Sequence, residues 1–210
     1  MYDIGAVILA AGMSKRMGQP KQFLNLHGKP LFRYSVETAV HSGLRPVVVV
    51  SGEHTELVKE YIRDLPAMVI HNPNFAQGMS SSLKVGVKAI RDQVSACFVF
   101  LADQPFIPVS VVDRLREVFD VAKSKNMNII RPRYGSVPGH PVLFAAKIFP
   151  ELIRIEGDRG AQQVIRQHLT ELAYVDFDHS LWGVDIDTPE DWKIYSKEKY
   201  DKNSTDEITN

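Results

Sequence analysis

A chain of 210 residues is long enough to bury one sizeable α/β core and short for two domains. Its 25 basic and 25 acidic residues balance, so the chain as a whole has no electrostatic field for binding nucleic acid or an anionic membrane. The single cysteine, Cys97, excludes an internal disulfide, and no apolar run of bilayer length or N-terminal leader pattern is found, which together predict a cytoplasmic protein.

The first half of the chain alternates between aliphatic runs and amphipathic stretches. The aliphatic runs predict buried strands over 4–10, 46–52, 67–72 and 96–103. Helices are predicted to begin after Pro30 and to cover residues 54–64, 79–91 and 109–124. This alternation predicts an α/β fold with a single doubly wound, mostly parallel sheet and helices on both faces.

The second half is less regular. Its patterns predict short strands over 128–134 and 141–144, a helix that begins near Arg159, a strand over 172–177 and a closing helix over 188–200. Residues 201–210 have the composition of a flexible polar tail. Because no linker, repeat or low-complexity segment divides the chain, residues 1–200 are predicted to form one domain.

The first loop that follows a strand combines small and basic residues. Ligands of open parallel sheets bind beyond the carboxyl ends of the strands, and Ala10-Ala11-Gly12 would let a ligand approach the backbone there. Successive backbone N–H groups in such a turn bind anions, and Lys15, Arg16 and Lys21 add positive charge. The loop lacks the Gly-Lys-Ser/Thr ending of a Walker loop, and no G-x-G-x-x-G occurs. Composition alone leaves two interpretations open, a di- or triphosphate site and a solvated basic loop.

Two acidic clusters are further candidates for a site at the carboxyl ends of the strands. Asp103 lies at the carboxyl end of the predicted strand 96–103. Asp185 and Asp187 flank Ile186, so that in extended chain both carboxylates point to one side. Carboxylate oxygens, completed by water and phosphate, are the ligands that Mg²⁺ prefers. Structural alternatives exist for both clusters, because Asp103 could form a turn and Asp187 or Thr188 could cap the closing helix.

Residues 9–21, LAAGMSKRMGQPK, closely resemble the L-x-[AG]-G-x-[SG]-x-R-[ML]-G-x(2)-K signature of nucleotidyltransferases with a GT-A-like (Rossmann-like) α/β fold. Within that group the chain resembles the molybdenum cofactor cytidylyltransferases and their close relatives. The resemblance continues in order through QGMSSSLK (77–84), LADQP (101–105), PGHPVLF (138–144), GDRGA (157–161) and DIDTPED (185–191). It therefore covers nearly all of residues 4–192.

The resemblance implies a Mg²⁺-dependent nucleotidyltransferase whose site residues fall into four groups. The implied catalytic residues are Arg16, Lys21 and Asp103. The implied nucleotide-binding residues are Leu9, Ala10, Ala11, Gly12, Ser14, Arg16, Lys21, Gly78, Ser80, Ser81 and Ser82. The implied acceptor-binding residues are Gly139, His140, Asp158 and Gly160, and the implied metal ligands are Asp103, Asp185 and Asp187. The guanylyl branch carries asparagines in place of Asp185 and Asp187, which leaves open how these two divide the metal.

Two of these assignments have a structural alternative. At least one serine of Ser80-Ser81-Ser82 could cap the helix that begins there. His140, between Gly139 and Pro141, could fix its loop by a hydrogen bond instead of contacting the acceptor. Gly157-Asp158-Arg159-Gly160 is expected to open a helix whose N-terminal amides suit a pterin edge or a phosphate.

The resemblance also implies the substrates. The cytidylyl branch reads Leu-Ala-Ala-Gly where the guanylyl branch usually reads Leu-Ala-Gly-Gly, so Ala11 favours CTP over GTP. The implied reaction transfers CMP from CTP to the phosphate of molybdopterin and releases pyrophosphate. A molybdenum hydroxylase such as a xanthine dehydrogenase is a possible partner, and neither nucleic acid nor membrane is expected as one. A guanylyltransferase, a sugar- or alditol-phosphate nucleotidyltransferase, and a non-catalytic nucleotide-binding maturation factor for a molybdenum hydroxylase stay open as alternatives.

Overall fold

The computed structural model describes residues 3–14 and 16–196 of the chain. Lys15, the last residues of the predicted closing helix and the predicted tail 201–210 lie outside the described residues. The strands are β1 (Ile4–Ala10), β2 (Asn25–Leu26), β3 (Lys29–Pro30), β4 (Val47–Ser51), β5 (Met68–His71), β6 (Ala96–Leu101), β7 (Ile129–Tyr134), β8 (Val137–Pro138), β9 (Val142–Ala145) and β10 (Leu172–Phe177). The α-helices are α1 (Leu31–His41), α2 (Thr55–Tyr61), α3 (Met79–Ile90), α4 (Val109–Ala122), α5 (Phe149–Leu152), α6 (Gln162–Gln167) and α7 (Pro189–Tyr195).

One mixed, mostly parallel sheet organises these elements. Its eight strands run in the order β10-β7-β9-β6-β1-β4-β5, with β8 paired to β7. β1 is an interior strand that pairs in parallel with β4 and β6. The pairs β4–β5 and β7–β10 are also parallel. The predicted α/β architecture is confirmed.

β9 runs antiparallel to both of its neighbours, β6 and β7. The short connection from β7 to β9 accounts for this direction, because a parallel pair needs a crossover of about a dozen residues or more. β2 and β3 form a separate antiparallel hairpin between β1 and α1. The aliphatic pattern predicted that β9 is a strand, but it carries no information on strand direction.

Helices cover both faces of the sheet, as predicted. α1, α2 and α4 bury their apolar residues against the face that carries Ile8, and α3, α5 and α6 against the face that carries Val7. Consecutive strand residues therefore enter different cores, which is why these strands appear in the sequence as unbroken aliphatic runs. Cys97 is fully buried in the second core, and burial raises the pKa of its thiol, so it is the packed core residue that its neighbours predicted.

Helix α3 packs against β1 at Gly86. A Cβ atom at Gly86 would come within 2.3 Å of Val7 Cγ1, a separation at which real Cβ atoms are not found. The glycine therefore permits a close helix–strand approach. This approach places the first turn of α3 beside the carboxyl end of β1, where the candidate site lies.

Three details at helix starts differ from or refine the predictions. The helix expected near Arg159 begins at Gln162, so residues 157–160 form a loop before it. α3 has Gly78 at its N-cap without a side-chain cap, and Ser80, Ser81 and Ser82 follow in its first turn. The structural alternative in which a serine caps this helix is therefore wrong. α7 begins after Thr188, which forms a capping box with Asp191, and this confirms the structural role of that segment.

Among the described residues, no helix has the length and apolarity needed to cross a bilayer.

Candidate functional site

A cleft of about 480 Å³ opens at the carboxyl ends of β1 and β6. These strands are parallel neighbours, so the loops that follow them meet at one edge of the sheet. The uncharged predicted residues that line the cleft are Leu9, Ala10, Ala11, Gly12, Gly78 and Ser82, together with Ser14. The charged predicted residues that line it are Arg16, Lys21, Asp103, Asp158, Asp185 and Asp187.

Ser14 folds the first loop back on itself. Its backbone has a left-handed φ of 50°, and its hydroxyl accepts a hydrogen bond from the Lys21 backbone N–H at 3.0 Å. The same hydroxyl donates to the Oε1 atom of the buried Gln22 at 3.2 Å. Ser14 therefore fixes the direction in which Lys21 leaves the loop, and no sequence pattern pointed to Gln22 as its partner.

Lys21 lies between two carboxylates. Its Nζ is 2.5 Å from Asp103 Oδ2 and also contacts Asp187 Oδ1, and the three side chains are only 16%, 19% and 27% exposed. Burial alone would lower the pKa of Lys21, but Asp103 and Asp187 leave it raised above its ordinary value. The second oxygen of Asp187 binds Arg16 Nη2 at 2.7 Å. The loop cations and both acidic clusters thus form one ion-pair network at neutral pH.

The two acidic clusters are tied together through the backbone. The N–H of Ile186 donates to the carbonyl of Asp103 at 3.0 Å, and the Ile186 side chain is fully buried. Asp185 and Asp187 consequently line the cleft together, which confirms the orientation that their spacing predicted.

Asp185 and Asp187 nevertheless have different surroundings. Asp185 Oδ1 accepts a hydrogen bond from Gln104 Nε2 at 2.8 Å. Burial, with a further contribution from the nearby Asp103 carboxylate, raises the pKa of Asp185 to about 6. Asp187, by contrast, has a cation on each oxygen.

The donor set suits a hard divalent cation. Asp103 Oδ1 is buried and has no hydrogen-bond partner among the described residues, and a buried polar atom without a partner is costly unless a ligand completes it. Within residues 3–14 and 16–196, no three His, Cys, Asp or Glu side chains already converge in metal-binding geometry, since the Lys21 ammonium lies between Asp103 and Asp187. A divalent ion held here would therefore complete its oxygen ligands with phosphate and water.

The predicted serines divide between lining the cleft and supporting it. Ser82 lines the cleft and accepts a hydrogen bond from Asn72 Nδ2 at 3.0 Å. Ser81 accepts from the same amide at 2.8 Å and donates to the Asn74 carbonyl at 2.9 Å. Ser80 is buried. Ser80 and Ser81 are not among the residues that line the cleft. Ser81 holds the loop before α3 in place, and the Ser80 hydroxyl donates to the Glu156 carbonyl at 3.4 Å.

Asp158 occupies the start of α3. Its Oδ1 accepts a hydrogen bond from the Met79 N–H at 2.9 Å, which supplies the cap that the serines do not provide. Gly78, with a φ of 103°, permits this contact, because a Cβ there would lie 2.8 Å from Asp158 Oδ1. Asp158 therefore lies on the wall between this cleft and a second cavity beside it.

This second cavity has a volume of about 410 Å³ and shares Leu9, Met79 and Asp158 with the cleft. Its apolar lining residues include Leu83, Val99, Val142, Phe144 and Ile165. Its polar lining residues are His140, Arg159, Gln162 and Arg166, in addition to Asp158. Gln162 and Arg166 were not predicted as site residues, although their spacing of four on α6 places them on one helix face.

His140 enters the second cavity as a neutral ring. Burial, aided by the positive charge of Arg131, lowers the pKa of His140 to about 3. Its loop is fixed through the backbone, because the Tyr134 hydroxyl donates to the His140 carbonyl at 2.7 Å. The alternative in which the imidazole itself fixes the loop is therefore not what the structure shows.

Gly139 and Gly160 do not line either cavity, and both allow close packing. A Cβ at Gly139 would lie 2.5 Å from the Tyr134 ring, and one at Gly160 would lie 2.8 Å from Met79 Sδ. Their role is to let neighbouring side chains approach the backbone. Direct contact with an acceptor stays a prediction for these two glycines.

Several lining residues were absent from the predicted set. Those of the first cleft are Met13, Gln22, Phe75, Met79, Leu101 and Ala102. Phe75 packs against the backbone after β4, where a Cβ at Gly52 would lie 2.7 Å from its ring. Phe75 lies in the loop that follows β5. The rule that ligands bind beyond strand ends includes this loop, but no residue pattern distinguishes the aromatic side chain.

Comparisons with known proteins agree with this architecture. The model of the MobA-like NTP transferase domain family matches residues 6–172. Molybdenum cofactor cytidylyltransferase of Escherichia coli (strain K12) is 30% identical over 200 residues, which cover 95% of this chain and 98% of that protein. Purine catabolism protein PucB of Bacillus subtilis (strain 168) is 31% identical over 208 residues, covering 92% of this chain and 95% of that protein.

Among solved structures, the chain is similar to Rv0371c from Mycobacterium tuberculosis H37Rv. The TM-score is 0.77 at 24% identity, over 94% of this chain and 98% of that one. A structure of Rv0371C in complex with manganese has a TM-score of 0.71 at 23% identity and covers 92% of this chain and 97% of that one. At these identities the likeness establishes the fold, which is that of the GT-A-like nucleotidyltransferases.

Proposed function

Because this chain belongs to the family of MobA-like NTP transferase domains, we propose that it transfers CMP from CTP to the phosphate of a molybdopterin-type acceptor and releases pyrophosphate. The observation that carries the proposal is the network in which Lys21 and Arg16 meet Asp103 and Asp187 inside one cleft. A nucleotidyltransferase needs cations for a triphosphate and carboxylates for a divalent ion within reach of the same phosphates. In this proposal residues 1–200 act as one nucleotidyltransferase domain.

The first cleft is the proposed nucleotide site. Backbone N–H groups after β1 and the side chains of Arg16 and Lys21 would bind the triphosphate, and Ser82 and Gly78 would face the nucleoside. Arg16 suits a bidentate contact with phosphate, whereas Lys21 acts as a compact point charge. Ala11, which is buried at the cleft wall, is the residue proposed to favour CTP over GTP.

The second cavity is the proposed acceptor site. Its volume of about 410 Å³ lies within the range of small-molecule sites, and such sites combine an apolar lining with a few polar groups. His140 would offer a neutral ring to a heterocycle, and Arg159 and Arg166 would attract an anionic group. The shared wall at Asp158 and Met79 brings the two cavities together, as a transfer between two substrates requires.

The reaction needs no general base. The acceptor phosphate has its second pKa near about 6 and is largely a dianion at neutral pH. One of its oxygens attacks the α-phosphorus of CTP, the bond from that phosphorus to the bridging oxygen breaks, and pyrophosphate leaves with the electron pair. Lys21 and Arg16 would hold and neutralise the phosphates during this displacement.

Mg²⁺ is the proposed cofactor, with Asp103, Asp185 and Asp187 as its candidate ligands. When bound, such an ion neutralises charge on the phosphates and orients them for in-line displacement. The Asp103 oxygen that lacks a partner among the described residues is the observation that supports a cation here. The manganese in the Rv0371C structure is consistent with a divalent ion in this fold.

Other functions fit the same site. GTP could replace CTP, and a sugar or alditol phosphate could replace molybdopterin. The relative named for purine catabolism favours a second candidate, a nucleotide-binding maturation factor for a molybdenum hydroxylase such as a xanthine dehydrogenase. That candidate binds nucleotide in the same cleft but does not turn it over.

A panel of nucleotides and acceptors tests these functions against each other. Pyrophosphate release is measured with CTP, GTP, UTP and ATP, each with Mg²⁺ and with or without molybdopterin or alditol phosphates. The proposal expects release that depends on both CTP and molybdopterin, and a variant Ala11→Gly with a higher ratio of GTP to CTP use. Tight CTP binding without release would instead support the maturation factor, and release with another pair would reassign the substrates.

A further inference from the structure

The loop cations and the cleft carboxylates neutralise each other in the absence of substrate. Lys21 binds one oxygen of Asp103 and one of Asp187, and Arg16 binds the other oxygen of Asp187. Asp187 is thus fully occupied by cations, and Asp103 keeps a single free oxygen among its described contacts. The groups needed to bind a triphosphate and those needed to bind a divalent ion are therefore engaged with one another.

We propose that this network is an exchangeable latch, in which the triphosphate takes over the two cations while the divalent ion takes over the carboxylates, so that each ligand strengthens the binding of the other. The inference rests on the proposed function for the identity of the two ligands. The four side chains Arg16, Lys21, Asp103 and Asp187 are called the latch below.

Charge balance gives the latch its effect. A divalent ion that approaches Asp103 and Asp187 alone meets the Lys21 ammonium between them, and a triphosphate alone must separate Lys21 and Arg16 from carboxylates that stay behind unpaired. Leaving a partly buried charge without a partner is unfavourable. When both ligands bind, every charge finds a new partner, so the two binding events are coupled, and such coupling is reciprocal.

The positions of the latch side chains allow them to change partners by short movements. Lys21 and Asp103 are only 16% and 19% exposed, whereas Arg16 is 71% exposed. Arg16 therefore can turn to a ligand without disturbing the core, and Lys21 is already inside the cleft that it shares with the carboxylates. No rearrangement of β1 or β6 is needed, because the charged groups lie beyond the strand ends.

Two single-ligand measurements on the full chain test the latch from opposite sides. Without nucleotide, Lys21→Met is expected to bind Mn²⁺ about tenfold more tightly than the parent, a change within the usual range of coupling. In EDTA, Asp187→Asn is expected to bind the α,β-methylene analogue of CTP about tenfold more tightly, since Arg16 is released and Lys21 keeps only Asp103 as a partner. Mn²⁺ binding is followed by the electron spin resonance of the free ion and nucleotide binding by calorimetry.

Matched variants show whether the effect belongs to the latch. Lys59→Met removes a lysine outside the latch, whose Nζ pairs with Glu56 Oε1 at 2.7 Å. The affinities of this variant for Mn²⁺ and for the nucleotide analogue should stay at the parent values. Lys21→Arg keeps the charge and should keep Mn²⁺ binding close to that of the parent. Arg16→Met, at a well-exposed position, carries little risk to folding and should strengthen Mn²⁺ binding by about threefold.

The outcomes separate the latch from the proposed function. Unchanged or weaker Mn²⁺ binding by folded Lys21→Met and Arg16→Met, or unchanged metal-free binding by folded Asp187→Asn, overturns the latch. Inorganic triphosphate is used as a second probe, because the latch depends on phosphates and not on the base. If triphosphate binds more tightly to Asp187→Asn but no nucleotide–acceptor pair releases pyrophosphate, the latch stands and the transferase fails.

Discussion

Replacing Lys21 by alanine removes one of the two cations that the proposed reaction uses to hold the phosphates. Lys21 is 16% exposed, so solvent screens its charge only in part. At an effective dielectric constant of about 20, two unit charges about 4 Å apart attract by about 4 kcal/mol. Only the part of this attraction that grows in the transition state affects turnover. Loss of one such preorganised group typically lowers kcat by about 10²–10³-fold, or about 2.7–4 kcal/mol.

The same substitution should leave the fold intact. It removes the cation partner of Asp103 and one of the two cation partners of Asp187. These carboxylates are 19% and 27% exposed, so water relieves part of their repulsion. We expect the free energy of unfolding to fall by about 1–2 kcal/mol, against about 5–15 kcal/mol for a typical domain. A loss of turnover in Lys21→Ala would then reflect chemistry and not unfolding.

The assay is steady-state pyrophosphate release with CTP, Mg²⁺ and molybdopterin, with thermal unfolding measured on the same preparations. Lys21→Arg is the control, and its larger planar cation should restore only part of the rate. If folded Lys21→Ala kept kcat within about threefold of the parent value, Lys21 would not stabilise the transition state, and the assignment of the cleft as the transferase site would be wrong.

Three further outcomes are expected. Asp103→Ala should lower kcat by about 10²-fold or more, while its melting temperature stays close to that of the parent. Near-normal pyrophosphate release from this variant would contradict the assignment of Asp103 as a metal ligand. Gly86→Ala should lower the free energy of unfolding by about 1–3 kcal/mol, because its Cβ would lie 2.3 Å from a methyl carbon of β1; urea unfolding measures this, with the exposed Lys88→Ala as control. His168 hydrogen-bonds Glu151 and Glu171, which raise its pKa above the ordinary 6.5. The protonated ring therefore contributes to the free energy of unfolding below pH 6.5, and this contribution is lost as the pH rises through the raised pKa. The stability difference between the parent and His168→Gln should therefore shrink from acidic to alkaline pH in urea titrations, and a constant difference would mean that the ionised pair contributes nothing.

The sequence by itself determined the fold class and most of the element bounds. Aliphatic runs mark strands that are buried on both faces, such as β4 at Val47–Ser51. Local patterns also predict the bounds of the edge strand β10 at Leu172–Phe177 and of the helix α3 at Met79–Ile90 closely. Small residues after β1 and an aspartate after β6 identify the sheet edge where ligands bind. The two-residue spacing of Asp185 and Asp187 also fixed their common direction, because alternation along extended chain is local.

The tertiary structure alone decided which of these groups meet. Lys21 contacts Asp103 across 82 residues of sequence and Asp187 across 166, and Arg16 reaches Asp187 across 171. No local pattern encodes such a meeting, since it depends on strand order, which pairs β1 with β6, and on the backbone hydrogen bond from Ile186 to Asp103. The direction of β9, the use of Asp158 at the start of α3 and the arginines of the second cavity were decided in the same way. Hydrophobic periodicity records whether a residue is buried, whereas the partner of a charged side chain depends on the path of the chain through the sheet.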